Sequence, residues 1–329
     1  MSAPTRRGLL LGGLSLAAMG PSPGSAATRV LRAVDTQHAD YPTVQGLLFI
    51  ARRVSRATDN ALRIRVFPGG QLGEEQDSIE QVRRGVIDVT RINASLLSET
   101  QPRLRALQAP YLIRSDAHLQ RVIDGPIGAG LLRTIDGAEH RALTFYDSGA
   151  RSIYNRVRPI NRPADLKGLR IRVQQSSPAV DLLRAFGATP IPLPFSQVLP
   201  ALSAGLIDGA ENNWPSYVTA RHHEAAGHMS ETEHVRTPEI LLISSRTWDA
   251  LGAEERRIVQ EAADLSRAFV RRIWSRWTAL TRAQAIEAGV DVARHLDRDS
   301  FVEASRPAAE ALAADDAVAQ VMAEIRGAA

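Results

Sequence analysis

A short phrase occurs twice in this chain. A helical stretch leads into Gly85-Val86-Ile87-Asp88, and a second helical stretch leads into Gly205-Leu206-Ile207-Asp208. A helix that stops at glycine before an apolar pair is the joint of a strand–helix alternation, because glycine takes the left-handed position after a helix at little cost. Each phrase then runs into polar residues, Arg91 and Asn93 in one copy, Glu211, Asn212 and Asn213 in the other. In open α/β sheets, ligands sit beyond the carboxyl ends of strands. Two such sheets facing each other would make a cleft lined from both sides.

The flanking sequence supports this alternation. Val30–Val34 and Leu62–Phe67 read as strands, with a helix over Pro42–Ala57 between them whose Val44, Leu47, Leu48, Ala51 and Val54 recur at helical spacing. A helix from about Glu74 to Arg84 and a strand over Val86–Ile92 follow. In the second half, Arg151–Val157 and Leu169–Val173 read as strands, Pro178–Phe186 and Ser196–Ala204 as helices, and Leu206-Ile207 as the start of another strand. Repeated alternation argues for an α/β fold with largely parallel sheets. A proline-free helical pattern from Ala253 to about Ala288 would extend ~50 Å at ~1.5 Å per residue, enough to brace two lobes. A short strand over Val290–Ala293 and an Ala-rich helical remainder complete the chain. With no low-complexity linker, the lobes are expected to be interwoven. The expected division is residues 28–147 and about 236–265 in the first lobe, and 148–235 and about 266–329 in the second.

The first residues point to export. Arg6-Arg7 precede an apolar stretch reaching Met19, and small residues end in Ser25-Ala26-Ala27. This is the pattern of a secretory leader over residues 1–27, and Thr5-Arg6-Arg7-Gly8-Leu9-Leu10 resembles a twin-arginine signal. The run is too short to span a membrane, which takes roughly 20 residues, and no later segment is apolar for long enough. A soluble periplasmic product is expected. The chain has no cysteine, which excludes disulfides, thiolate metal sites and thiol nucleophiles.

Charge excludes another class. Loss of Arg6 and Arg7 with the leader lowers the formal +4 by two, to +2. Lys167 is the only lysine, and the arginines are spread without a basic tract, so nucleic-acid binding finds no support. Enzyme motifs fail as well. His223-Glu224-Ala225-Ala226-Gly227-His228 has one residue too many for the zinc motif; histidines five apart stand about 140° out of phase on a helix. Asp147-Ser148-Gly149 has no second copy to share a proton with, as aspartic proteases require. Gly125-Pro126-Ile127-Gly128-Ala129-Gly130 has the wrong spacing for a dinucleotide loop. Nothing in the sequence calls for a metal or a cofactor.

Arg170 and Arg172 share one strand face, with Leu169, Ile171 and Val173 on the other. Such a face is either solvated or aimed at an anion, and the pattern alone favours the solvated reading. Arginine suits carboxylate capture because its planar fork donates two parallel hydrogen bonds.

The pattern as a whole resembles the DctP-type solute-binding proteins of TRAP transporters. Gly70-Gln71-Leu72-Gly73-Glu74-Glu75, Gly85-Val86-Ile87-Asp88, Ala109-Pro110-Tyr111-Leu112 and Asp165-Leu166-Lys167-Gly168-Leu169-Arg170-Ile171-Arg172-Val173 carry the resemblance. Phe186-Gly187-Ala188-Thr189-Pro190, Gly205-Leu206-Ile207-Asp208-Gly209-Ala210-Glu211-Asn212 and Trp248-Asp249-Ala250-Leu251 continue it in family order. It implies a two-lobe periplasmic-binding-protein-like α/β fold closing over an organic acid, with TRAP membrane subunits as partners. By position it implies that Arg172 grips the carboxylate, with Arg151 a second cationic contact and Asn212 beside them. Glu75, Asn93, Arg91 and the loop with Thr36 and His38 would supply the first lobe's polar contacts, and Tyr154 the second's. Glu211-Asn212-Asn213-Trp214-Pro215-Ser216-Tyr217 is similar to members that take sugar acids such as uronates. A C4-dicarboxylate is the alternative ligand, and a periplasmic enzyme acting on sugar acids, or a protein feeding a sensor, the alternative functions. The sequence departs from the family pattern at Gln197, Leu199-Pro200 and Gly227-His228-Met229.

Overall fold

The computed structural model describes residues 28–328; the expected leader lies outside the described residues. In chain order the first strands are β1 (Arg29–Val34), β2 (Leu62–Phe67), β3 (Val89–Asn93) and β4 (His140–Tyr146). Then come β5 (Arg151–Asn155), β6 (Arg170–Val173), β7 (Thr189–Pro192), β8 (Gly209–Asn212), β9 (His228–Val235), β10 (Glu239–Ser244) and β11 (Asp291–Val292). They form two sheets, one of order β2-β1-β3-β10-β4 and one of order β11-β9-β5-β8-β6-β7. Helices cover both faces of each sheet, giving two α/β lobes with apolar layers on either side.

The sheets are mixed, where sequence alternation suggested largely parallel ones. β1 pairs in parallel with β2 and β3, and β6 with β7 and β8. β10 runs antiparallel to β3 and β4, and β5 antiparallel to β8 and β9. The cause is the way the chain changes lobes. It leaves one sheet at its cleft edge through residues 147–150, and returns through residues 236–238. A strand entering from the cleft edge must run against the strands that end there. Parallel neighbours need a crossover of a dozen or more residues, and neither passage supplies one.

The repeated phrase is a repeated joint. Gly85 and Gly205 adopt φ values of 72° and 68°, a region costly for residues with a Cβ. The next two amides turn back onto one carbonyl, that of Gln81 in the first copy and Ala201 in the second. Each aspartate then bridges to the neighbouring strand: the Asp88 carboxylate accepts from the Arg32 amide at 2.7 Å, and that of Asp208 from the Arg170 amide at 2.9 Å. The apolar pairs expected to begin strands belong to these turns, with Ile87 and Ile207 buried and Val86 and Leu206 exposed. The strands begin later, at Val89 and Gly209.

The 35-residue helix Ala253–Glu287 spans both lobes. Ile258, Val259, Ala262 and Ala263 enter the first lobe's core, and Ala285 enters the second's. Midway, Trp274 packs edge-on against Tyr41. No helix among the described residues is long and apolar enough to cross a membrane.

The C-terminal region corrects the expected lobe division. Helices Arg298–Ala304 and Arg306–Ala313 lie with the second lobe through Phe301 and Ala308. Helix Asp316–Gly327 instead returns to the first lobe, burying Val318, Val321, Met322 and Ile325 beside Leu104 and Leu119. The Ile325 carbonyl lies 2.9 Å from Nε2 of His118. Composition alone gives an Ala-rich helix no preferred partner; the apolar stripe of these four residues provides one. Replacing the fully buried Ile325 by Ala should cost about 2–5 kcal/mol, read as a lower urea midpoint. A peripheral helix would show a change within the about 0.5 kcal/mol usual for surface sites.

Candidate functional site

The carboxyl ends of β3, β6 and β8 meet the starts of β5 and β10 around a polar cavity between the lobes. Gln37, Tyr41, Glu75, Arg91, Asn93 and Glu239 line it from the first lobe. Arg151, Arg172, Gln174, Phe195, Asn212 and Asn213 line it from the second. Three arginines therefore face one space, and their partners distinguish them.

Arg151 is committed to its neighbours. Its Nη2 donates to the Glu211 carboxylate and carbonyl at 2.8 Å each, its Nη1 donates to Oδ1 of Asn212 at 3.0 Å, and its Nε completes the pair with Glu211. Burial alone would raise the Glu211 carboxyl, but Arg151 and His234 outweigh it and hold it at about 2. The terminal nitrogens of Arg91 are engaged as well, while its buried Nε has no acceptor among the described residues. Its guanidinium meets Asp35, Glu75 and Glu239, the last at 3.0 Å, and donates to Thr36 at 3.2 Å. Burial opposes its charge, yet the three carboxylates keep it cationic. Among them Glu75 is pushed up to about 7, first by burial, with Arg91 opposing and Glu239 and Asp35 adding to the rise.

Arg172 differs from both. It is 4 % exposed, yet it makes no ion pair with any described residue; only its Nε has a protein acceptor, the Leu193 carbonyl at 2.8 Å. Burial depresses its pKa, Glu211 opposes that, and Arg151 adds to it; an arginine remains cationic in any case. The other member of the pair, Arg170, turns to the Asp208 carboxylate at 2.7 Å and 3.0 Å and is partly exposed. The strand face read as solvated or anion-directed is thus both, at its two ends.

Asn212 has its Oδ1 occupied by Arg151 and by the Asn213 amide at 2.9 Å, which leaves its amide nitrogen to donate. Asn93 is held at each polar group: its side-chain nitrogen donates one N–H to Glu239 at 3.0 Å, its Oδ1 accepts from the Ser95 amide, and its backbone amide donates to Glu75. Of the residues expected at the site, Arg172, Arg151, Asn212, Glu75, Asn93 and Arg91 line the cavity. Thr36, His38 and Tyr154 do not. His38 is exposed in the turn before helix Pro42–Ala57, beyond the first strand's cleft end. Tyr154 is wholly buried behind the wall, its hydroxyl 2.7 Å from Nδ1 of His222, because alternation along β5 turns it away from the face of Arg151.

Sequence reasoning missed Gln174, Phe195 and Glu239. The first two sit just past the carboxyl ends of β6 and β7, where the strand-end rule would have found them. Glu239 begins a strand and escaped that rule.

Contacts across the cleft hold the lobes together. The Tyr41 hydroxyl lies 2.8 Å from that of Ser216, and Ser176 donates to Gln108 at 2.5 Å. Glu99 of the first lobe accepts from the Ser177 amide at 3.1 Å, at the start of helix Ser177–Ala185, whose own N-cap makes no side-chain bond.

The buried Arg151–Glu211 pair sets a stability test. Replacing Glu211 by Ala strands a buried guanidinium and should cost about 3–5 kcal/mol in urea unfolding at neutral pH. With its folded pKa depressed to about 2, Glu211 contributes stability that is present above the unfolded value of 4.5 and lost as pH falls through 2. Glu75 acts oppositely. Its contribution is full below 4.5 and is lost as pH rises through 7. The Glu75→Gln protein should therefore lose less stability than the parent between roughly pH 5 and roughly pH 8.

Comparison with known proteins adds independent findings. The family model for bacterial extracellular solute-binding protein, family 7 (DctP) matches residues 34–316. A solute-binding protein of Chromohalobacter salexigens is 30% identical over 267 residues, 81% of this chain and 80% of the relative. A TRAP periplasmic solute-binding protein from a Bradyrhizobium species, in complex with α/β-D-galacturonate, superposes with a TM-score of 0.89 at 40% identity, covering 91% of this chain and 100% of that one. Another from Xanthobacter autotrophicus, with bound β-D-galacturonate, gives 0.88 at 40% identity and the same coverage.

Proposed function

The chain belongs to bacterial extracellular solute-binding protein family 7, and from that premise we propose that it captures a hexuronate such as galacturonate in the periplasm and delivers it to a TRAP-type membrane transporter. The observation that carries the ligand reading is Arg172, the one cavity arginine without a carboxylate partner among the described residues. A buried cation with two free terminal nitrogens is a site for a bidentate carboxylate, since pairing and hydrogen bonding make a buried charge tolerable. The galacturonate complexes, at 40% identity over the full length of those chains, support the sugar acid as the source of that carboxylate.

The ligand carboxylate meets Arg172, and the amide nitrogen of Asn212 donates beside it. Arg151 acts through position: tied to Glu211, it holds Asn212 oriented by its bond to Oδ1. The sugar hydroxyls turn to the acceptor-rich first-lobe wall of Glu75 and Glu239, while Phe195 offers an apolar face. Bending at residues 147–150 and 236–238 opens and closes the lobes, a hinge of the usual kind in which a few residues between rigid bodies absorb the change. Closure brings Glu99 onto the helix at Ser177. The ligand leaves chemically unchanged, and the protein is a carrier rather than a catalyst.

Thermal melting with a panel of uronates, aldonates and neutral sugars tests this. Ligand at ~1000 times its Kd adds about 4 kcal/mol to native stability, so a uronate should raise the midpoint by several degrees and its neutral sugar should not. Replacing Arg172 by Ala should cost about 2–5 kcal/mol of binding, at least a roughly 30-fold loss, and Arg172→Lys should fall between, because charge survives but the fork does not. Undiminished affinity in Arg172→Ala would remove the basis of the assignment. Ligand recovered altered, by mass spectrometry after release, would point to an enzyme instead.

A further inference from the structure

The two walls of the cavity carry unlike charge. On the second lobe, Arg151 is matched by Glu211 and Arg172 is left over, for an excess of one positive charge. On the first lobe, one guanidinium, Arg91, is shared by Asp35, Glu75 and Glu239, for an excess of two negative charges when all three are ionised. Of those carboxylates, Glu75 and Glu239 line the cavity itself, with side chains 13% and 10% exposed, whereas that of Asp35 is wholly enclosed. We propose that this Arg91-centred carboxylate cluster is an anion filter, with Glu75 and Glu239 as the residues that admit acids carrying one carboxylate and reject those carrying two. The inference rests on the hexuronate reading and names what sets its limits.

The physical argument concerns what each end of a ligand can offer. A carboxylate seated on Arg172 leaves the rest of the molecule against the first-lobe wall. Ionised Glu75 and Glu239 only accept hydrogen bonds, so they suit a polyol end, whose hydroxyls donate. A second carboxylate there has nothing to donate and adds like charge in a place where solvent screening is reduced. Arg91 cannot turn to receive it, because its terminal nitrogens are already engaged by Asp35, Thr36, Glu75 and Glu239. Asn93, the neutral residue between them, has its side-chain nitrogen committed to Glu239 at 3.0 Å. The donors left on that wall are neutral, the second N–H of the Asn93 amide and the side-chain amide of Gln37, so a second anion there meets no unpaired cation among the described residues. The filter explains how a fold that could serve either uronates or C4-dicarboxylates is committed to the former: Arg172 selects for an acid, and the cluster selects against a diacid.

The filter also titrates. Glu75 is pushed up to about 7, and the groups facing it are Arg91 from β3, Glu239 from β10, Asp35 past the end of β1, and Thr36 and the Asn93 amide as donors. Below that pH a proton on Glu75 removes one negative charge and adds one donor, which weakens the rejection of a diacid.

Calorimetric titration with D-galacturonate and galactarate, the same carbon skeleton oxidised at both ends, tests the filter. At pH 8 the wild-type protein should favour galacturonate by at least ~100-fold, and Glu75→Gln should shrink that ratio by at least ~10-fold. Because the ratio within each protein is compared, the ring form of one ligand and the open form of the other cancel. Glu239→Gln provides a second variant, should Glu75→Gln fail to fold, and should move the ratio in the same direction. Lowering the pH to 6 should shrink the wild-type ratio and leave that of Glu75→Gln little changed. A large wild-type ratio that neither variant alters would overturn the filter while leaving the uronate reading intact, as would wild-type protein that binds both acids alike. Failure of the wild type to bind either acid would overturn both.

Discussion

Arg151 and Glu211 lie on neighbouring antiparallel strands, near the point where the chain enters the second lobe. Their pairing neutralises the charge that would otherwise compete with Arg172 for an anion, and it fixes the carboxyl end of β8. Asn212 inherits its orientation from that pair through the bond from Arg151 to its Oδ1. Without it, the cavity would contain two unmatched guanidiniums and a buried carboxylate, each costly to hold out of water. With it, the second lobe presents one unmatched cation and one oriented amide. What the cavity presents is therefore decided less by which arginines are present than by which already have carboxylate partners.

The two lobes solve the same structural problem with opposite electrostatics. Gly85 to Asp88 and Gly205 to Asp208 build the same turn and the same bridge to the neighbouring strand. Yet the residue three past the aspartate is Arg91 in one lobe and Glu211 in the other. Each is buried, and each is matched by groups brought in by strands that cross between the lobes: Glu239 at the start of β10, Arg151 at the start of β5. The crossings that make the sheets mixed are what carry these counter-charges to the cleft. Asn93 and Asn213, each five residues past the aspartate of its copy, each accept from a backbone amide at the start of the following helical turn.

Much of this was legible in the residues, and the failures have definite causes. Helix Pro42–Ala57 and strand Leu62–Phe67 follow from periodicity, which is a local property. Strand starts at Val86 and Leu206 were misplaced because an apolar pair reads alike in a strand and in a turn that drops one residue into the core. The antiparallel entries of β5 and β10 depend on which sheet a strand joins, and no local pattern encodes that. Arg172 and Asn212 were reachable because they lie at strand ends within family motifs. That Arg91 and Arg151 are paired with carboxylates, and Arg172 is not, depends on partners as distant as Glu239, and only the fold brings those together. Thr36, His38 and Tyr154 were placed at the cavity by the family resemblance, and none of them lines it.

The return of helix Asp316–Gly327 to the first lobe places both β1 and the last described helix in the same body. The second lobe is consequently suspended from the first by two extended passages, one long helix and the short link at residues 314–315, and neither end of the described chain belongs to it. Force applied between those ends would load the first lobe directly and leave the second slack until Asp316–Gly327 peeled away. Mechanically, the molecule is a handle and a pendant jaw: anything attached at its ends travels with the handle, and the jaw that carries Arg172 stays free to swing.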